Sequence, residues 1–153
     1  MAVNLIEGRT ARADDATPEG VVDVMLVEDS ALIREALVDA CAASGKVAFS
    51  AFAATAREAV DILRDRTFPL IIIDLELMEG TGFDVLTFLA QPEQEGRRPV
   101  RMVLTNHAFA LYEKRARMLG VEYFFDKSLH FDEAVSTLEK EAARLAALGR
   151  TTH

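Results

Sequence analysis

Short apolar runs alternate with amphipathic segments along most of this chain. The runs VVDVMLV, KVAFSAF, FPLIIID, PVRMVLT and VEYFF are short and rich in β-branched and aromatic residues, the pattern of buried strands. Between them, apolar residues recur at helical spacing. In ALIREALVDACAASG, residues Ile33, Ala36, Leu37, Ala40 and Cys41 share one face, with Ser30 opening the helix and Gly45 closing it. Thr55 and Glu58 read as a capping box ahead of Ala59, Ile62 and Leu63. FDVLTFLAQ predicts a third helix that stops before Pro92, and AFALYEKRARMLG a fourth ended by Gly120. A long fifth helix begins at about Phe131 and ends at Gly149. LELMEGTG and QPEQEGRR read as a loop and a polar turn.

Five strand–helix alternations imply an α/β domain, a doubly wound parallel sheet with helices on both faces. In such sheets the site lies beyond the carboxyl ends of the strands, where the strand order switches. The pattern assigns residues 21–149 to one domain. Residues 1–20 include the polar stretch EGRTARADDATPEG and read as a flexible N-terminal tail, and residues 150–153 as a short C-terminal tail.

Composition narrows the classes. Half of the 153 residues are apolar, enough for a full core. A formal net charge of -8 disfavours direct nucleic-acid binding. No apolar window approaches the roughly 18 residues of a membrane span, and the start MAVNLIEG lacks a secretory pattern. Cys41 is the only cysteine, which excludes an intramolecular disulfide and a thiol-based zinc site. These features fit a reduced cytoplasm.

The candidate chemistry sits at the strand ends. The first strand ends in Glu28-Asp29, the third in Asp74, the fourth in Thr105, and the fifth runs to Lys127. Parallel strands bring all of them to one sheet edge. Clustered carboxylates repel one another unless a cation joins them. Oxygen ligands with room for water and a phosphate suit Mg2+. Lys127 and Thr105 can meet the oxygens of a phosphoryl group, and a carboxylate beside them is a competent nucleophile.

In the strings VMLVEDS, IIIDLELMEGTGFDVL, MVLTNH and GVEYFFDKS, the chain resembles the receiver domain of bacterial two-component response regulators, from about Val21 to Leu148. The resemblance implies a flavodoxin-like fold with strand order 2-1-3-4-5. It implies Asp74 as phosphoacceptor, with Glu28 and Asp29 as the acidic pair that holds Mg2+, Asp29 ligating directly. Glu76 would lend its backbone carbonyl to the metal. Thr105 would be the switch hydroxyl, Lys127 the phosphate-contacting lysine and Phe124 the rotating aromatic. The implied donor is a sensor histidine kinase or phosphotransfer protein. The output is a downstream target protein reached by direct contact, from a monomer or weak homodimer, with no membrane and no nucleic acid involved. The chain departs from the family pattern at Asn106, where a small residue is usual, and at Ser128, where proline is usual. Glu28 replaces a commoner aspartate, and Phe124 carries no hydroxyl.

Other residues read more plainly. His107 is expected to be a solvated loop histidine, with a role beside Glu76 in tuning the lifetime of the phosphate. His130 is expected at the start of the last helix, Cys41 in the core, Phe83, Phe88 and Met102 in apolar packing, and EKRAR on a solvated face. An alternative function is a phosphorylation-independent interaction module, against which the complete set Asp74, Asp29, Thr105 and Lys127 argues. An enzyme that turns over substrate is not expected. No GxGxxG or GxxxxGK[ST] string is present, and Glu76 stands where acyl-phosphate hydrolases place a second aspartate.

Overall fold

The computed structural model describes residues 20–149, so the expected tails lie outside the described residues apart from Gly20. Strands β1 (Val22–Val27), β2 (Val47–Ala53), β3 (Leu70–Ile73), β4 (Val100–Thr105) and β5 (Tyr123–Asp126) alternate with helices α1 (Ala31–Ala42), α2 (Ala56–Asp65), α3 (Gly82–Leu89), α4 (Ala110–Met118) and α5 (Phe131–Ala147). They form one sheet in the order β2-β1-β3-β4-β5, and every neighbouring pair is parallel. The expected fold class and strand order are both present.

Strand periodicity sorts the core into two layers. On β3, Leu70 and Ile72 join Leu37, Cys41, Leu138 and Leu145 on the side of α1 and α5. Ile71 and Ile73 join Ala59, Leu63, Leu86 and Ala116 on the side of α2, α3 and α4. All four β3 residues are buried, which explains why the strand reads as an unbroken apolar run. Cys41, Phe83 and Met102 are buried, and Phe88 packs against the core from its margin.

Local details refine the expected elements. Ser30 Oγ accepts from the Ile33 amide and caps α1, as its position before the helix implied. The box at α2 is only half closed. Thr55 Oγ1 accepts from the Glu58 amide at 3.1 Å, but Glu58 Oε1 accepts from the amide of Ala54 at 2.8 Å, one residue before the cap. The complete box is at α3, where Thr81 and Asp84 exchange hydrogen bonds at 3.3 and 3.0 Å. The polar turn after α3 holds a short 3-10 turn, Pro92–Gln94, with Gln94 buried. β5 starts two residues later than its apolar run and extends to Asp126.

Candidate functional site

The backbone ladder carries the reactive residues to the sheet edge. The Glu28 amide donates to the Ala53 carbonyl at 2.8 Å, the Asp74 amide to the Val27 carbonyl at 2.9 Å, and the Lys127 amide to the Thr105 carbonyl at 2.8 Å. Each strand therefore delivers its next side chain to the same side of the domain. Carboxylate oxygens of Glu28, Asp29 and Asp74 all lie within 4.8 Å of one another. Glu28 is 2 % exposed and Asp74 5 %, while Asp29 is partly exposed and opens the cluster to solvent.

One cation reaches into it. Lys127 Nζ lies 2.9 Å from Asp74 Oδ2 and 2.9 Å from Glu28 Oε1, on a side chain that is itself buried. Burial alone would lower its pKa, but the hydrogen bonds and negative charges of the two carboxylates together outweigh it and the net shift is upward. Lys127 thus stays an ammonium. The Glu28 carboxyl is pushed up by burial, against the opposing hydrogen bonds from Lys127 and the Ser30 amide. That amide donates to Glu28 Oε2 at 3.0 Å, while Arg34 Nη1 holds the Glu28 carbonyl at 2.9 Å. Asp74 Oδ1 accepts from the Glu76 amide at 3.2 Å.

Three carboxylates facing one ammonium leave a formal surplus of two negative charges. Their donors are hard oxygens drawn from two strand ends. That donor set and that surplus fit a divalent cation with oxygen preference.

The surroundings hold Asp74 in place. Gly82, at the start of α3, abuts it so closely that a Cβ there would stand 2.4 Å from the Asp74 carbonyl oxygen. Thr105 is fully buried, and its hydroxyl accepts from the His107 amide at 3.1 Å. Phe124 is half-buried against the α2–α4 layer.

Glu76 and His107 meet, which the sequence did not reveal. His107 Nε2 lies 2.7 Å from Glu76 Oε1, so the histidine is a paired group rather than a freely solvated one. The loops after β3 and β4 must both be traced before this contact emerges. A second tie lies on the other side of the same loop, where Ser128 Oγ donates to Asn106 Oδ1 at 3.0 Å. His130 is the N-terminal flanking residue of α5, as expected. Within the EKRAR run, Arg117 pairs with Glu113 on the surface, but the Arg115 guanidinium lies 4.0 Å over the Phe83 ring. That residue is tied down rather than simply solvated.

Comparison with known proteins points one way. The family model described as the response regulator receiver domain matches residues 24–139. The polar-differentiation response regulator DivK of Brucella ovis is 29 % identical over 116 residues, which span 76 % of this chain and 92 % of that protein. The non-phosphorylated HemR receiver domain from Leptospira biflexa superposes with a TM-score of 0.66 at 29 % identity, covering 80 % of this chain and 94 % of that one. The response regulator domain of Thermotoga maritima CheB has a TM-score of 0.68 at 21 % identity, covering 83 % and 97 %, and bears on the fold alone.

Proposed function

Because this chain belongs to the response regulator receiver domain family, we propose that it is a phosphoacceptor switch whose Asp74 takes a phosphoryl group from a phosphohistidine. The observation that carries this reading is that Asp74 shares the Lys127 ammonium with Glu28 and lies in one carboxylate cluster with Glu28 and Asp29 at the sheet edge. A carboxylate oxygen of Asp74 attacks phosphorus as the phosphorus–nitrogen bond of the donor breaks. The electron pair goes to the departing imidazole, which takes up a proton.

Asp29, Glu28 and Asp74, with the Glu76 carbonyl, would hold Mg2+, which when bound offsets the negative charge on the phosphoryl oxygens. Lys127 supplies a second positive charge and exchanges a carboxylate oxygen for a phosphoryl oxygen at little cost in position. Thr105 leaves the His107 amide and donates its hydroxyl to the phosphoryl group. Phe124, on the neighbouring strand, turns into the space that the β4–α4 segment vacates. The donor is a sensor histidine kinase or phosphotransfer protein, and the altered α4–β5–α5 face engages a target protein. On this reading the chain assists its own phosphorylation and dephosphorylation but turns over no separate substrate. The place of action that goes with a sensor-kinase donor is the cytoplasm. No helix among the described residues is long and apolar enough to cross a membrane.

The test is incubation with Mg2+ and phosphoramidate. The expected product is a phosphoprotein labile to base and to hydroxylamine, lost in Asp74→Asn and in excess chelator. An adduct that persists in Asp74→Asn contradicts the assignment.

A further inference from the structure

β2 is an edge strand, and its register with β1 slips midway along. Val24 pairs with Phe49, but Met25 pairs with Ala51, which leaves Ser50 unmatched. In a regular strand, residues three apart point to opposite faces. The extra residue turns Phe52 back to the side of α1, where its ring stacks with Phe49 at a centroid distance of 6.5 Å. Phe52 therefore stands exposed beside α1. With Ala31, Glu35, Val38 and Asp39 it lines a groove of about 390 Å3. Arg34 borders the same groove, but its guanidinium is drawn off to the Glu28 carbonyl. Glu35 and Asp39 thus set the charge of the groove. They lie four residues apart on one helix face, where like charges repel. Among the described residues no ion pair relieves either one.

α4 carries the counterpart. Leu111 and Met118 are 74 % and 80 % exposed and lie seven residues apart on one face, with Lys114 between them. Lys114 is exposed, and among the described residues it too has no ion pair. Its neighbours three and four residues away are Ala110, Leu111, Arg117 and Met118, so the helix offers it no carboxylate. The two stripes share one spacing when the helices run antiparallel. Met118, Lys114 and Leu111 then fall opposite Ala31, Glu35 and Val38. The largest side chain meets the smallest, the cation meets the groove's carboxylates, and Leu111 meets Val38 next to Phe52.

We infer that a second copy of this chain is the occupant of the α1–β2 groove, which receives the α4 ridge of its neighbour. The charge complementarity of Lys114 with Glu35 and Asp39 carries this choice. α1 packs on one face of the sheet and α4 on the other, so a single neighbour does not fill both. Copies therefore add head to tail, each end keeping an open groove or an open ridge. The contact is small, and copies with a net charge of -8 repel one another at a distance, so association is weak and grows with concentration. α4 also belongs to the face that the proposed switch offers to its target, so contact between copies competes with target binding. The contact itself needs no phosphoryl group.

Sedimentation velocity of the full chain at rising concentration tests this. The average mass should increase with concentration and pass that of a dimer. Lys114→Glu and Glu35→Lys are surface changes that each set like charges face to face, and each alone should weaken association about tenfold or more. An equimolar mixture of the two chains should associate again, because each reversed ridge then finds a reversed groove. One chain carrying both changes should do the same. A chain that stays monomeric at every concentration overturns the proposal, as does a mass that levels off at the dimer, which marks a closed pair. Weakening by Lys114→Glu without weakening by Glu35→Lys would show that α4 meets another surface. Failure of the mixture and of the doubly changed chain to recover would show that the two residues do not face each other.

Discussion

The Lys127 ammonium donates to Asp74 Oδ2 at 2.9 Å, joining the ends of β3 and β5 across the intervening β4. The same ammonium reaches Glu28, directly after β1, so one side chain ties three strand ends together. Removing it strands two buried carboxylates. Lys127→Met should lose about 3 kcal/mol of unfolding free energy in chelator, the usual scale for breaking a buried ion pair from one side. Added Mg2+ should restore part of that loss by meeting the same carboxylates. Urea unfolding with and without Mg2+ measures both. Equal stability of the two chains in chelator would show that Lys127 is not the counter-ion that the geometry implies.

Gly82 is required by packing, since it lies against backbone. A Cβ there would stand 2.4 Å from the Asp74 carbonyl oxygen and 2.9 Å from Leu75 Cα. Neither is the end of a flexible side chain, so the β3–α3 junction must shift. Gly82→Ala should cost about 2 kcal/mol or more in stability, and, on the proposed function, it should slow adduct formation because the moving atoms belong to Asp74. A variant with unchanged melting temperature and unchanged phosphorylation would refute the close approach.

The strand ends were legible because a parallel sheet leaves no choice about where they gather. Once VVDVMLV, FPLIIID, PVRMVLT and VEYFF are read as parallel strands, Glu28, Asp74, Thr105 and Lys127 must share an edge. Contacts made by loops were not legible. The pairing of Glu76 with His107 and of Ser128 with Asn106 depends on loop paths and side-chain rotamers that no periodicity encodes. Glu141 was hidden for another reason. In EKEAARL it looks like one more solvated charge, yet it is 5 % exposed, because Tyr123 on β5 and Arg144 one turn on satisfy it.

That Tyr123–Glu141 bond makes stability pH-dependent at the alkaline end. The phenol donates to Glu141 Oε1 at 2.7 Å, a bond that only the protonated phenol can make, and it raises the Tyr123 pKa above its usual 10.0. The stabilisation is therefore complete below pH 10.0 and disappears as pH rises through the higher folded-state value. Tyr123→Phe should be less stable by about 1 kcal/mol at neutral pH, with the gap closing at alkaline pH. Thermal melts of both chains across that range decide it, and a gap that stays constant contradicts the hydrogen bond.

Cys41 is buried between α1 and the sheet, and burial, helped by nearby Glu139, pushes its thiol up to about 11. A disulfide-exchange reagent at mildly alkaline pH should react slowly with the folded chain and at an ordinary thiol rate after denaturation. Equal rates in the two states would place the thiol outside the core.

Reduction of the phosphorylated chain with borohydride, followed by peptide mapping, tests the central claim most directly, because the reagent converts only an acyl phosphate of aspartate into homoserine. The arrangement of Lys127, Glu28 and Asp29 around one carboxylate predicts homoserine at position 74 alone, formed only when Mg2+ and a phosphoryl donor are both supplied. Homoserine at another aspartate, or at none despite phosphate incorporation, would contradict it.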